Sequence, residues 1–126
     1  MPRVLVVDDT GSIRLLIRTN LELAGYDVEE SIDGESCLEH LAGAELLPDA
    51  LTMDVMMPRL DGVSTVARLR KDPRFDSIAV VMVTTQNHPG DISRAMAAGA
   101  DEYVLKPFDP DELVETVARA IEQRAR

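Results

Sequence analysis

Residues Ala50 to Pro58 read ALTMDVMMP. The apolar run from Ala50 to Met53 ends in one acid, Asp54. Pro48 and Pro58 bracket it, and Asp61-Gly62 signals a turn soon after. A run so closely bracketed is too short for a helix and reads as a buried strand. Asp54 then lies where that strand leaves the core. A carboxylate there needs a partner or a task, because burying an unpaired charge is costly.

The same alternation recurs on both sides. Val4 to Val7 are continuously apolar and rich in β-branched residues, the mark of a strand buried on both faces of a parallel sheet. That run ends in Asp8-Asp9. Thr10 and Ser12 are candidate N-caps for a helix carrying Ile13, Leu16, Ile17 and Leu21, extended by Leu23 and Ala24 and stopped by Gly25. Asp27 to Ser31 is a weaker strand, polar around Val28, and suits an edge. Asp33-Gly34 turns the chain into a short helix with Cys37, Leu38, Leu41 and Ala42, closed by Gly43. Beyond the central strand, Val63, Val66, Ala67 and Leu69 form a third helical stripe, ended by Asp72-Pro73. Ile78 to Val83 is a nearly unbroken apolar strand that ends in Thr84-Thr85. Pro89 opens a fourth helix with Ile92, Ala95, Met96 and Ala98, stopped by Gly99. Glu102 to Leu105 is a fifth strand, ending in Lys106-Pro107. Asp109 as N-cap and Pro110 at the first helical position start the last helix. Its stripe is Leu113, Val114, Val117, Ala118 and Ile121. Strands alternating with helices predict an α/β fold with a parallel sheet, right-handed crossovers and helices on both faces.

The totals agree with one soluble domain. The chain has 126 residues, 45% of them apolar and 29% charged, in the range of ordinary globular domains. Its 7 glycines and 7 prolines fall at intervals, as turns between elements would. The net charge is −10, which argues against direct nucleic-acid binding and against adhesion to an anionic membrane. Cys37 is the sole cysteine, so an internal disulfide and a cysteine zinc site are excluded; a small packed thiol is expected. The start, Met1-Pro2-Arg3, has no signal-peptide layout, and no apolar run approaches the ~18 residues of a membrane span. These features predict a cytoplasmic protein.

The polar residues that end the apolar runs carry the chemistry. They are Asp8 and Asp9, Asp54, Thr84 and Lys106. In a parallel sheet such ends share one edge, where ligands bind. Three carboxylates together repel, and a divalent cation relieves them. Mg²⁺ takes one or two carboxylates, keeps several waters and accepts phosphate oxygens. Carboxylates also serve as nucleophiles in phosphoryl transfer. Asp54, lone and central, is the best nucleophile, and Asp8 and Asp9 are the better metal pair. His40 and His88 read as surface residues, Met53, Met82 and Met96 as core filling, and Arg68, Arg70, Lys71 and Arg74 as a solvated basic face.

With these residues in order, the chain resembles the receiver domains of bacterial two-component response regulators, over essentially all of residues 1–126. The marks are Asp8-Asp9 after VLVV, Asp54 before MMP and Asp61-Gly62, Thr84 after VVMV, AGADEY from Ala98 to Tyr103, and Lys106-Pro107-Phe108. The resemblance implies a single receiver domain with a flavodoxin-like doubly wound (βα)5 fold and strand order 2-1-3-4-5. It implies Asp54 as phosphoacceptor, Asp9 as direct metal ligand, Asp8 acting largely through water, and the backbone carbonyl of Met56 on Mg²⁺, with Mn²⁺ an alternative. Thr84 matches the hydroxyl that turns toward the phosphoryl group, Lys106 the lysine that pairs with it, and Lys106–Pro107 a bond usually cis. Tyr103 matches the aromatic switch residue, and Met56 and Gln86 two variable positions that influence phosphate lifetime. The implied donor is a sensor histidine kinase or phosphotransfer protein. The implied output is a changed surface on helix four, strand five and helix five, read by a partner protein, an effector domain or a second copy in a phosphorylation-dependent homodimer. Such a domain is not an ordinary enzyme, but it catalyses its own Mg²⁺-dependent phosphotransfer and autodephosphorylation.

Three rivals compete. A constitutive interaction module would keep the fold without the switch. A flavodoxin-type electron carrier is disfavoured by few aromatics and an acidic first turn. A phosphatase with an aspartate nucleophile would need a second Asp two residues beyond the first, and Asp8-Asp9-Thr10 does not fit.

Overall fold

The computed structural model describes residues 2–126. Met1, the first residue of the 1–126 domain expected above, lies outside them. Five strands, β1 (Arg3–Val7), β2 (Asp27–Ser31), β3 (Ala50–Met53), β4 (Ala79–Thr84) and β5 (Glu102–Leu105), pair in parallel in the order 2-1-3-4-5. They alternate with α1 (Gly11–Leu23), α2 (Gly34–Ala42), α3 (Gly62–Leu69), α4 (Pro89–Ala98) and α5 (Pro110–Ala125). A 3-10 turn, Pro73–Phe75, leads into β4. The expected α/β architecture is therefore observed, with β2 at an edge.

Strand alternation sorts the core into two layers. Val4, Val6, Ala50, Ala79, Val81 and Val83 face α1 and α5 with Ile17, Leu21, Leu113 and Val117. Leu5, Val7, Leu51, Met53, Val80 and Met82 face the other three helices with Cys37, Leu41, Val66 and Leu69. The inner strands read as unbroken apolar runs because each alternate residue meets a different layer of helices.

Several expectations are corrected. Leu16 and Leu23, placed in the α1 stripe, are exposed, Leu23 by 82%. Met96, read as core, is also exposed, and Ala95 alone of α4 is buried. In α5, Ala118 is exposed while Thr116 and Ala120 are buried. Each helix lies on one face of the sheet, so only a narrow stripe of it is covered. Thr10 is the α1 N-cap residue but makes no side-chain cap hydrogen bond. Asp33 and Asp61, read only as turn residues, are N-caps of α2 and α3. Arg70 is not on a solvated face: it is half-buried and donates to Gly99 O at 3.1 Å, Phe75 O at 3.1 Å and Asp101 at 3.2 Å. Asp101 also accepts from Arg124 at 2.9 Å and from the Val80 amide at 2.8 Å. This network ties α3, α5 and the α4–β5 turn together at the end of the sheet opposite Asp54. His40 is half-buried, 3.3 Å from Glu29.

One buried polar group stands apart. Thr52 lies between Val6 and Val81 in the sheet, fully buried, and its hydroxyl has no partner among the described residues. A buried donor left unmatched costs ~1–3 kcal/mol. Thr52→Val should therefore raise the unfolding free energy by about 1 kcal/mol in urea titrations. A loss of similar size would show that the hydroxyl has a partner.

Candidate functional site at the carboxyl edge of the sheet

The backbone ladder continues one residue past the strands. The amide of Asp8 donates to Ser31 O at 3.3 Å, that of Asp54 to Val7 O at 3.0 Å, and that of Lys106 to Thr84 O at 2.8 Å. These three residues thus keep strand geometry where the core ends, and their side chains meet. Carboxylate oxygens of Asp8, Asp9 and Asp54 lie within 4.8 Å of one another. Lys106 Nζ is 2.9 Å from Asp8 Oδ2 and 3.7 Å from Asp54 Oδ1. Asp8 and Asp54 are buried, whereas Asp9 is exposed.

Close packing fixes the Asp54 backbone. A Cβ on Gly62 would fall 2.1 Å from Asp54 O, so the start of α3 reaches this position only because the residue is glycine. The other Asp8 oxygen accepts from the Thr10 amide at 2.9 Å, and Arg14 donates to the Asp8 carbonyl at 2.9 Å.

Charge is not balanced here. Burial, the largest cause, pushes the Asp54 carboxyl above its ordinary value. Lys106 opposes the shift, the Asp8 charge adds to it, a hydrogen bond from the Met56 backbone opposes it, and Asp9 adds again. Two buried acids, one exposed acid and one lysine leave an excess of negative charge.

Thr84 and Tyr103 sit to one side. Thr84 is buried, and its hydroxyl accepts from the Gln86 amide at 3.3 Å. Tyr103 is half-buried, and its hydroxyl donates to the Gln86 carbonyl at 2.6 Å. The Gln86 backbone therefore links the two, and among the described residues no hydrogen bond joins Thr84 to the acids. The Gln86 side chain donates to Met56 Sδ at 2.9 Å, although Met56 is 61% exposed. The Lys106–Pro107 peptide is cis. Cys37 is buried, and burial, helped by the Asp33 charge, pushes its thiol up to about 12, which makes it inert as a nucleophile.

Sequence reading missed Arg59, which pairs with Asp33. Asp33 with Ser36 three residues on was a legible capping signal, but nothing local in the sequence announces a partner 26 residues away.

Comparison with known proteins gives the family. The family model described as the response regulator receiver domain matches residues 4–118. The chain is 40% identical over 124 residues to the DNA-binding dual master transcriptional regulator RpaA of Synechocystis, covering 98% of this chain and 50% of that protein. It is 35% identical to the phosphate regulon transcriptional regulatory protein PhoB of Rhizobium meliloti, covering 100% of this chain and 54% of that protein. The chain thus spans about half the length of these curated relatives. Among solved structures, chemotaxis protein CheY4 of Vibrio cholerae superposes with a TM-score of 0.87 at 34% identity, covering 95% of this chain and 98% of that one. The receiver domain of Francisella response regulator 1452 superposes with a TM-score of 0.88 at 31% identity, covering 98% of each chain. With the family model matched along nearly its whole length, the chain belongs to the receiver domains of response regulators.

Proposed function

We propose that this chain is a phosphorylation-operated switch with Asp54 as its phosphoacceptor. The observation that carries the reading is the meeting of Asp8, Asp9 and Asp54 with Lys106 at one sheet edge. Receiver domains generally bind Mg²⁺ at such an acidic pocket, and the excess of carboxylate oxygens here suits a hard divalent cation. In this reading Asp9 ligates directly, Asp8 acts largely through water, and Asp54 and the Met56 backbone carbonyl complete the protein's share. Mg²⁺, or Mn²⁺ in its place, would neutralise the acids and stabilise charge on phosphoryl oxygens.

The protein's own groups do the rest. An Asp54 oxygen attacks the phosphorus of a phosphohistidine on a sensor kinase or phosphotransfer protein. A P–O bond forms, the P–N bond breaks, and the imidazole leaves. Lys106 pairs with the incoming phosphoryl group, and the Thr84 hydroxyl donates to it. Later attack by water on phosphorus returns Asp54 as a free carboxylate, so the domain dephosphorylates itself.

The label adds about −2 charge. If Thr84 turns to the phosphoryl group, the Gln86 amide loses its acceptor. Gln86 then shifts and takes the Tyr103 hydroxyl with it, remodelling α4, β5 and α5. That surface is read by a partner protein, by an effector domain or by a second copy. Residues 1–126 act as one receiver unit in the cytoplasm. Relatives of twice the length carry names of transcriptional regulators; for this unit, with net charge −10, direct contact with nucleic acid is not proposed. No helix among the described residues is long and apolar enough to cross a membrane.

Acetyl phosphate with Mg²⁺ should label the wild-type chain, and Asp54→Asn or EDTA should abolish the label, read by intact mass. Persistent label in Asp54→Asn would move the acceptor elsewhere, and a folded wild-type chain that takes no label would favour a constitutive interaction module. A second outcome concerns stability. The raised folded-state pKa of Asp54 means that folding favours its neutral form. That contribution is full below the unfolded value of about 3.9 and is lost as pH rises through the folded value. At neutral pH without metal, Asp54→Asn should therefore melt higher than wild type, and the difference should close in acid or on adding Mg²⁺. An Asn variant that melts lower at neutral pH would contradict this.

A further inference from the structure

The loop between β3 and α3 is held from outside the acidic cluster. Among the described residues Arg59 is the one non-glycine residue with positive φ, at 67°. Left-handed backbone is unfavourable for a residue with a Cβ, and persists only where surroundings impose it. The Arg59 guanidinium pairs with the Asp33 carboxylate and lies 4.0 Å from Glu35. Asp33 is no ordinary surface acid, because its side chain is only 4% exposed. Its Oδ1 accepts from the Ser36 amide at 2.8 Å and the Ser36 hydroxyl at 2.9 Å, capping α2. The Ser36 amide first, then the Ser36 hydroxyl and Arg59, hold the Asp33 carboxyl below its usual range against the effect of burial.

Packing pins the same loop on both sides of Arg59. A Cβ on Gly34 would fall 2.9 Å from Leu60 O and 2.0 Å from Thr65 Oγ1, so the start of α2 presses on the loop directly. At the other end the Gly62 amide donates to Val55 O at 2.9 Å. Met56 lies inside this pinned segment. What Met56 offers the site is main chain, through its carbonyl in the proposed metal site. Main-chain atoms cannot be re-aimed by a rotamer change, so their position depends wholly on the loop.

We infer that the Arg59–Asp33 ion pair is a positioning latch that ties the β3–α3 loop to α2 and keeps the Met56 main chain in place for a divalent cation. The inference rests on the metal-dependent reading above. Arg59 and Asp33 act through Met56 and touch neither ion nor phosphoryl group. Partners that orient ligands from behind typically govern about 10–100-fold in metal affinity.

The test is Mn²⁺ binding, read from the electron-spin resonance signal of free Mn²⁺, alongside urea unfolding. Arg59→Gly accepts left-handed φ freely, so backbone strain is relieved while the latch is lost. Its Mn²⁺ dissociation constant should rise about tenfold, with an unfolding midpoint equal to or above wild type. Asp33→Asn keeps the cap acceptor for Ser36 and removes the charge, and should lose affinity to a similar degree. The double variant should lose little more than either single one, as members of one unit do, and Arg59→Lys should recover part of the loss. The latch is overturned if both single variants bind Mn²⁺ within about twofold of wild type, well short of the loss expected for an orienting partner. It is equally overturned if affinity falls only in step with stability. A wild-type chain that binds no Mn²⁺ would instead overturn the metal reading itself, and the latch with it.

Discussion

The arrangement depends on an unbalanced charge cluster held where a sheet ends. Asp54 is buried beside Asp8, Asp9 stands within reach, and Lys106 is the lysine between the two buried acids. Lys106 sits closer to Asp8 than to Asp54, so the carboxylate with the weaker partner is the one at the centre of the sheet. A fold that only required stability would not keep a buried acid in this state, because a neutral or better-paired residue would cost less. In the function proposed here, a cation and a phosphoryl group would relieve that repulsion.

The sheet makes the cluster unavoidable. In a parallel sheet every strand points the same way, so the residue after each strand lands on the same edge. The backbone bonds from Asp8 to Ser31, Asp54 to Val7 and Lys106 to Thr84 carry the register just beyond the core. Two apolar layers clamp the strands from either side, and Gly62 lets α3 start against the Asp54 carbonyl. The ion network around Asp101 secures the far end.

How much of this was legible follows from distance along the chain. The unbroken runs VLVV and AVVMV declare buried strands, because every residue of an inner parallel strand meets a helix layer. Once the strands are parallel, the meeting of Asp8, Asp9, Asp54 and Lys106 follows from their positions at the ends of runs. The exposure of Leu16, Leu23 and Met96 was not legible. An apolar stripe does not reveal how much of it one sheet face covers. Nor were the partners of Asp33 and Asp101, since Arg59 and Arg70 reach them across 26 and 31 residues. Periodicity is a local signal, and these are contacts between loops. The link from Thr84 through the Gln86 backbone to Tyr103 escaped for the same reason.

The most direct measurement is the titration of the Asp54 side-chain carboxyl by ¹³C NMR, assigned by its loss in Asp54→Asn, with and without Mg²⁺. Without metal the carboxyl should titrate above the ordinary aspartate value of about 3.9, and Mg²⁺ should pull it down sharply. An Asp54 that titrates at or below the ordinary value and does not respond to Mg²⁺ would contradict the account, because the acidic edge would then be neither strained nor built to receive a cation.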